Sequence, residues 1–296
     1  MKIPKAVRRA LENVTDEVFE GWLRKKLEFI EGQNRRQFFA TSTYVGDYTA
    51  ITWITSGQRI FVDTRDLGIA QHLMFKGYWE KTTNQALLDL LEDDSVYVDV
   101  GAHYGYHVLT AAQRVKKGRV VAVEPNPRLY GLLEKSIRTN QLRERATLHH
   151  CAVSEAPAEL SFVTPVDDPA LGHIAGADEP DDGAPRTTVR CRALDDICAD
   201  LDRVDLIKID VEGHESQALR SARATIERHR PLVLMEYAPA HIERQQPVTE
   251  FHALLGELGF THVYEIRGGR LHEARFDRLA EDRNLRNIVL ADRALT

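Results

Sequence analysis

Two short segments concentrate the residues able to grip a charged ligand or move a proton. The first is Asp99-Val100-Gly101-Ala102-His103-Tyr104-Gly105, and Glu124 stands one apolar run further on. The second is Asp210-Val211-Glu212-Gly213-His214-Glu215, and Glu236 follows it in the same way. A carboxylate at the end of a strand can accept hydrogen bonds from both hydroxyls of a ribose diol. An imidazole titrates near ~6.5, so His214 is the natural group to take a proton at neutral pH. Asp210, Glu212 and Glu236 could serve instead if burial raises their pKa values. The same three acids form an oxygen-donor set of the kind that holds Mg²⁺, a less favoured alternative to hydrogen bonding of an acceptor's hydroxyls.

These segments need a frame that brings strand ends together. Val96-Tyr97-Val98-Asp99-Val100 is a short apolar strand, followed by a helical pattern (Val108, Leu109, Ala112, Val115) that stops at Gly118. Val120 to Val123 is the next strand. Pro127 sits where a helix would start, Leu129, Leu132, Leu133 and Ile137 mark its buried face, and Asn140 is placed to close it. Strands near 146–151, 205–210 and 231–236 continue the alternation, which implies parallel pairing with helices on both faces. Runs such as Leu206-Ile207-Lys208-Ile209 suit strands covered on both sides. Open sheets of this type bind ligands beyond the carboxyl ends of their strands, so both chemical segments should open onto one crevice. Four acids (Asp210, Glu212, Glu215, Glu236) and the His214 imidazole should meet there.

Upstream, Val7, Leu11, Val14, Val18, Trp22 and Ile30 form a helical stripe over 4–31, residues 44–63 read as short strands around Ser56-Gly57, and helices are expected near 68–76 and 83–92. Residues 164–186, rich in Pro, Gly and Asp, read as a loop or lid. The expected organisation is an N-terminal helical and short β extension over 1–80 and a catalytic α/β domain over 81–296.

The first loop separates two nucleotide-type ligands. A dinucleotide wants G-x-G-x-x-G, so that its pyrophosphate can approach the backbone. Here His103 replaces the second glycine, and Asp99 places an anion where a pyrophosphate would suffer. An ammonium or sulfonium would gain from that anion, and amides from Gly101 to Gly105 are expected to hold a carboxylate. The loop therefore favours S-adenosylmethionine over NAD.

Composition narrows the setting. With 43% hydrophobic residues the chain can bury a large core, and a formal net charge of -6 argues against nucleic-acid binding. No apolar run reaches the length of a membrane span, and a cytoplasmic protein is expected. Cys151, Cys191 and Cys198 have no zinc spacing and are expected reduced in or near the core. Self-association is left open.

Taken together, VYVDVGAHYGYH (96–107), VVAVEPNP (120–127), Asn140, Leu194-Asp195-Asp196, VDLIKIDVEGHE (204–215) and PLVLMEY (231–237) resemble the FkbM-type methyltransferases, from about residue 58 to 240. The second long motif is the specific one. The resemblance implies a Rossmann-like class I methyltransferase fold with a mostly parallel seven-stranded sheet. It also implies methyl transfer from S-adenosylmethionine to a hydroxyl of a small molecule, such as a sugar or secondary metabolite. In that reading Asp99, Gly101, His103 and Gly105 contact the methionine end. Glu124 holds the ribose, with Pro125 and Asn126 beside the adenosine. Cys151, Ala152 and Val153 pack near adenine, and Asp210 borders both cofactor and acceptor. His103 departs from the Asn often found at that position. Methylation of RNA or protein is the same-fold alternative, and an NAD-dependent enzyme a weaker one.

Overall fold

The computed structural model describes residues 42–165, 172–175, 183–243, 245–281 and 284–295. The expected helical stripe over 4–31 lies outside the described residues. The chain opens with three antiparallel strands, β1 (Thr43–Gly46), β2 (Thr49–Trp53) and β3 (Arg59–Asp63). The turn between β2 and β3 falls at Ser56-Gly57, as the sequence pattern predicts, with Gly57 donating to the Ile54 carbonyl. Helices α1 (Ile69–Lys76) and α2 (Lys81–Asp89) follow.

The alternation then begins: β4 (Val96–Val100), α3 (Tyr106–Arg114), β5 (Arg119–Val123), α4 (Pro127–Thr139) and β6 (Ala146–His149). A small sheet comes next, built from β7 (Ala152–Val153), β8 (Ala158–Val163), β9 (His173–Ile174) and β10 (Arg186–Arg192), in the order β7-β10-β8-β9. After α5 (Leu194–Cys198) come β11 (Leu206–Ile209), α6 (Glu215–Arg220), α7 (Arg223–His229), β12 (Leu232–Tyr237), α8 (Pro239–Ile242) and α9 (Val248–Glu257). The chain closes with β13 (His262–Arg267), β14 (Arg270–Ala274), α10 (Phe276–Glu281) and β15 (Arg286–Ala291).

The main sheet runs β14-β13-β15-β12-β11-β4-β5-β6. Strands β6, β5, β4, β11 and β12 are mutually parallel, and β15, β13 and β14 join by antiparallel pairing. This is the Rossmann-like class I methyltransferase arrangement. It has eight strands where seven were expected, because β13 doubles back through Gly268-Gly269, both at positive φ, and adds β14 at the edge. The chain winds outward from β4 to β6 and restarts on the other side at β11. The topological switch therefore lies between β4 and β11, which is where such sheets open a ligand crevice.

The pleat sorts the side chains. Tyr97, Val120, Ala122, Leu206 and Leu234 enter one hydrophobic layer, while Val98, Val100, Val121, Val123, Ile207, Ile209, Val233 and Met235 enter the other. Successive strand residues face opposite sides, and partners in register share a side. Asp99 is in register with Lys208, and Lys208 with Leu234. Asp99, Lys208 and Glu236 consequently fall on one face, the face covered by α2 and α3.

Three local features bear on the sequence expectation. Asn140 is the C-cap of α4, as expected, and Gln141 after it takes the left-handed conformation at φ 57. The Asn140 amide also donates to Arg59 O at 2.6 Å while its oxygen accepts from Arg59 N at 3.0 Å, tying α4 to β3. Second, 164–186 is not loop throughout. His173–Ile174 pairs with β8, and Arg186 begins β10, while 166–171 and 176–182 lie outside the described residues. Third, Cys151, Cys191 and Cys198 are free and buried, as expected, with burial pushing the thiols of Cys151 and Cys198 up to about 11 and about 12.

Candidate active site

A cleft of about 1030 Å³, counted to its open mouth, lies over the switch point. Its walls include Gly101, Ala102, His103, Glu124, Pro125, Cys151, Ala152 and Val153 on one side, and Lys208, Asp210, Glu212 and His214 on the other. Phe162 and Ile174 of the small sheet, together with Ile69 and Trp79, contribute apolar wall. The two segments singled out in the sequence thus meet in one cavity.

Their approach is close. A Cβ built on Gly101 would lie 1.8 Å from the Asp210 carbonyl oxygen, and Gly101 has φ +83. Only glycine meets both conditions, so this residue lets β4 and β11 end against each other. Gly105, at φ +84, starts α3 and packs against Leu133 rather than lining the cleft.

Glu124 is fully buried at the end of β5. Its Oε2 accepts the His103 amide at 2.7 Å and its Oε1 accepts the Asn126 amide at 2.8 Å. Burial pushes its pKa up to about 7, against the lowering effect of those two amides. Each carboxylate oxygen has a further lone pair, so the group can still receive two donors from the cleft. Asn126 does not line the cleft. Its side chain caps α4, accepting from the amides of Arg128 at 2.9 Å and Leu129 at 3.2 Å.

Most of the expected anion cradle over Gly101–Gly105 is taken up internally. Gly101 and Ala102 both donate to Val123 O at 3.0 Å, His103 donates to Glu124, and Gly105 donates to Ala102 O. These four amides are engaged within the loop or with the end of β5. They offer neither a carboxylate nor a pyrophosphate cradle. His103 occupies the tip at φ +54, both ring nitrogens lack a hydrogen-bond partner, and burial pushes its pKa down to about 3. It is a neutral imidazole facing the cleft.

Beneath the loop lies a charged group that sequence reasoning misses. Lys208 is 3% exposed, with Nζ 2.9 Å from Asp210 Oδ2 and 3.8 Å from Asp99 Oδ1. Burial lowers its pKa, but Asp210 and Asp99 outweigh that and raise it. Asp99 is fully buried, its pKa raised by burial against the opposing charge of Lys208, and neither carboxylate oxygen has a hydrogen-bond partner. Beyond Lys208, Glu80 faces His107 Nε2 at 3.5 Å and accepts from Asn287 Nδ2 at 3.1 Å, and His107 Nδ1 meets Asn84 Oδ1 at 3.1 Å. The available signal is a lysine inside an apolar strand, in register with an aspartate. A buried ammonium is sustained only by such partners.

The acidic segment after β11 divides in two. Glu215 turns inward, its Oε1 accepting the amides of Gly213 at 3.1 Å and Val211 at 3.4 Å, and burial pushes its pKa up to about 7. It shapes the loop and does not line the cleft, although its charge still acts on Glu236. Asp210, Glu212 and His214 do face the cleft. His214 begins α6, its Nε2 has no partner, and burial lowers its pKa. Glu236 lies off the cleft wall on β12. Burial first, then the charges of Asp210, Glu212, Glu215 and Glu80, push its pKa up to about 8. Among the described residues, the ligand atoms that converge are those of Glu212, Glu236 and His241, while Asp210, the third acid of the less favoured Mg²⁺ set, is engaged by Lys208.

The crevice at the β4/β11 switch and the buried carboxylate ending β5 define a class I methyltransferase-type site. A family model described as the methyltransferase FkbM domain matches residues 99–266, more than half of the chain, and the chain belongs to that family. Among curated proteins it is similar to methyltransferase sdnD of Sordaria araneosa, 26% identical over 202 residues, covering 57% of this chain and 75% of that one. Among solved structures it is similar to methyltransferase FkbM from Methylobacillus flagellatus KT, at 20% identity and TM-score 0.45, covering 68% of this chain. The chain spans 44% of the length of that structure. It is also similar to TYW2 of M. jannaschii, solved in complex with AdoMet, at 16% identity and TM-score 0.42, covering 84% of this chain and 86% of that one. Among the described residues no helix is long and apolar enough to cross a membrane.

Proposed function

We propose that this protein transfers a methyl group from S-adenosylmethionine to a hydroxyl of a small molecule, a sugar or a secondary metabolite. The observation that carries the cofactor reading is Glu124: a buried carboxylate at a strand end, fixed by one amide on each oxygen, with acceptor capacity left toward the cleft. The residues present fit the cofactor. Glu124 would take the ribose diol, and Cys151, Ala152 and Val153 would flank the base. Asp99 and Asp210, held around Lys208, keep negative charge beneath the methionine end. The engaged amides of the Gly101–Gly105 loop count against a pyrophosphate ligand and so against NAD.

When bound, the cofactor supplies an electrophilic methyl group; the chain's own task is alignment and proton removal. Trp79, Phe162 and Ile174 present apolar wall that would keep water from a bound ligand. His214 is the base best suited to an alcohol acceptor, because burial keeps it neutral at pH 7 and its Nε2 is uncommitted. Asp210 is committed to Lys208, and Glu236 holds its proton up to about pH 8.

Calorimetry with S-adenosylhomocysteine tests the cofactor. Measurable one-to-one binding is expected. No heat with this ligand alongside tight binding of NADH would end the reading. A screen of glycosides for a methyl mass gain then tests the acceptor class, and transfer confined to RNA or protein would replace it.

A further inference from the structure

Beside the cleft, three side chains from three separate segments point at one another. They are Glu212 of the loop after β11, Glu236 at the end of β12 and His241 of α8. One carboxylate oxygen from each glutamate and one imidazole nitrogen all lie within 4.8 Å of one another. Around an octahedral ion with bonds of ~2.1–2.2 Å, adjacent ligands stand about 3.0 Å apart and opposite ones about 4.3 Å, so side-chain rotation that closes the group by about 1–2 Å would bring all three into bonding range.

The segments carrying them are braced. Glu215 ties down the amides of Val211 and Gly213, fixing the turn that presents Glu212 at φ 52. Gln245 donates to the Gly213 carbonyl, joining that turn to the segment after α8. A Cβ on Gly213 would stand 3.7 Å from the His241 Cβ, so turn and helix are in packing contact. The surroundings are acidic as well: Asp210, Glu215 and Glu80 all act on Glu236. Preorganised ligands in a negative field are what a cation site requires.

We propose that Glu212, Glu236 and His241 form a binding site for a divalent cation at the edge of the acceptor end of the cleft. Two carboxylates with one imidazole suit Mn²⁺, which accepts oxygen and nitrogen donors, better than Ca²⁺, which takes oxygen ligands. Three protein ligands leave about three positions of an octahedral ion for water or an acceptor oxygen. The site does not depend on which acceptor is methylated.

The test is titration of the full chain with Mn²⁺, read by loss of the free aqueous Mn²⁺ resonance in electron paramagnetic resonance. One ion per chain is expected, with binding at least tenfold weaker in Glu236→Gln and in His241→Gln. Wild-type protein that leaves the free signal intact at millimolar Mn²⁺, or either folded variant that binds as well as wild type, overturns the proposal. Should a variant unfold, nitrogen coupling on the wild-type Mn²⁺ signal decides, and its absence overturns the assignment of His241. S-adenosylhomocysteine affinity is measured on the same samples. Its absence alongside retained Mn²⁺ binding counts against methyl transfer and leaves the cation site standing.

Discussion

Gly101 and Asp210 touch where two halves of the sheet part: a side chain on the first would stand 1.8 Å from the carbonyl of the second. The cleft exists because β4 and β11 end flush against each other at this point. Gly101→Ala adds the clash to a φ of +83. The variant is expected to lose roughly 2–4 kcal/mol of stability, from overpacking and backbone strain together. Urea unfolding measures it, and a change below about 0.5 kcal/mol would mean that the strand ends separate freely.

Much of this site is legible in the amino-acid sequence. Asp99, Glu124 and Asp210 stand at strand ends because each follows an apolar run of strand length, and strand ends of a parallel sheet share an edge. Lys208 is not legible as part of the site, because a period-two pattern identifies which residues are covered, not which covered residue pairs with a neighbour across the sheet. Its register with Asp99 depends on β11 inserting beside β4, a long-range fact. Asn126 and Glu215 mislead for a related reason. An acid or amide near a strand end can face the ligand or satisfy local amides, and only the backbone path decides. His241 lies on a four-residue helix whose approach to Glu212 and Glu236 no spacing rule encodes.

Glu124→Ala removes both the proposed ribose acceptor and the partner of two amides. S-adenosylhomocysteine binding is expected to weaken by roughly 1–3 kcal/mol. With its pKa at about 7, Glu124 in the free protein is half protonated at neutral pH, so wild-type affinity should improve from pH 6 to 8 and the variant's should not. Equal calorimetric pH profiles would remove Glu124 from the cofactor site.

His214→Ala is expected to lower turnover by roughly 10²–10⁴ while leaving S-adenosylhomocysteine affinity within about threefold. Burial depresses the imidazole pKa, so the wild-type acid limb should fall below ~6.5. A variant that keeps near wild-type turnover would leave catalysis to alignment alone.

Lys208→Met leaves Asp99 and Asp210 facing each other without their shared cation. Removing one partner of a buried ion group typically costs about 3–5 kcal/mol. Adding Asp210→Asn should recover part of that loss, because one of the two stranded charges is gone. Urea unfolding of the single and double variants checks this, and a single variant as stable as wild type would show that the acids simply take up protons.

Glu124, Glu215 and Glu236 have folded pKa values of about 7, about 7 and about 8, above the ordinary value of 4.5. Between 4.5 and those values the folded chain binds more protons than the unfolded one, so stability falls as pH rises through that window. His72, His103, His149, His214, His229 and His252 act oppositely. Their pKa values are depressed, and their stabilisation is present well above 6.5 and lost as pH falls through it. From about pH 7.5 to about 8.5 the unfolded histidines are mostly neutral, so the carboxylates dominate and the ligand-free chain should lose stability by up to ~1.4 kcal/mol per group and pH unit. Asp210 acts on all three and Glu215 on Glu236, so the slope is not divided cleanly among single residues. Glu236→Gln should flatten it most above pH 7, where the other two are mostly ionised. Thermal unfolding midpoints at pH 7.5, 8.0 and 8.5 measure the effect, and a wild-type midpoint that rises across that series would contradict the burial of these carboxylates.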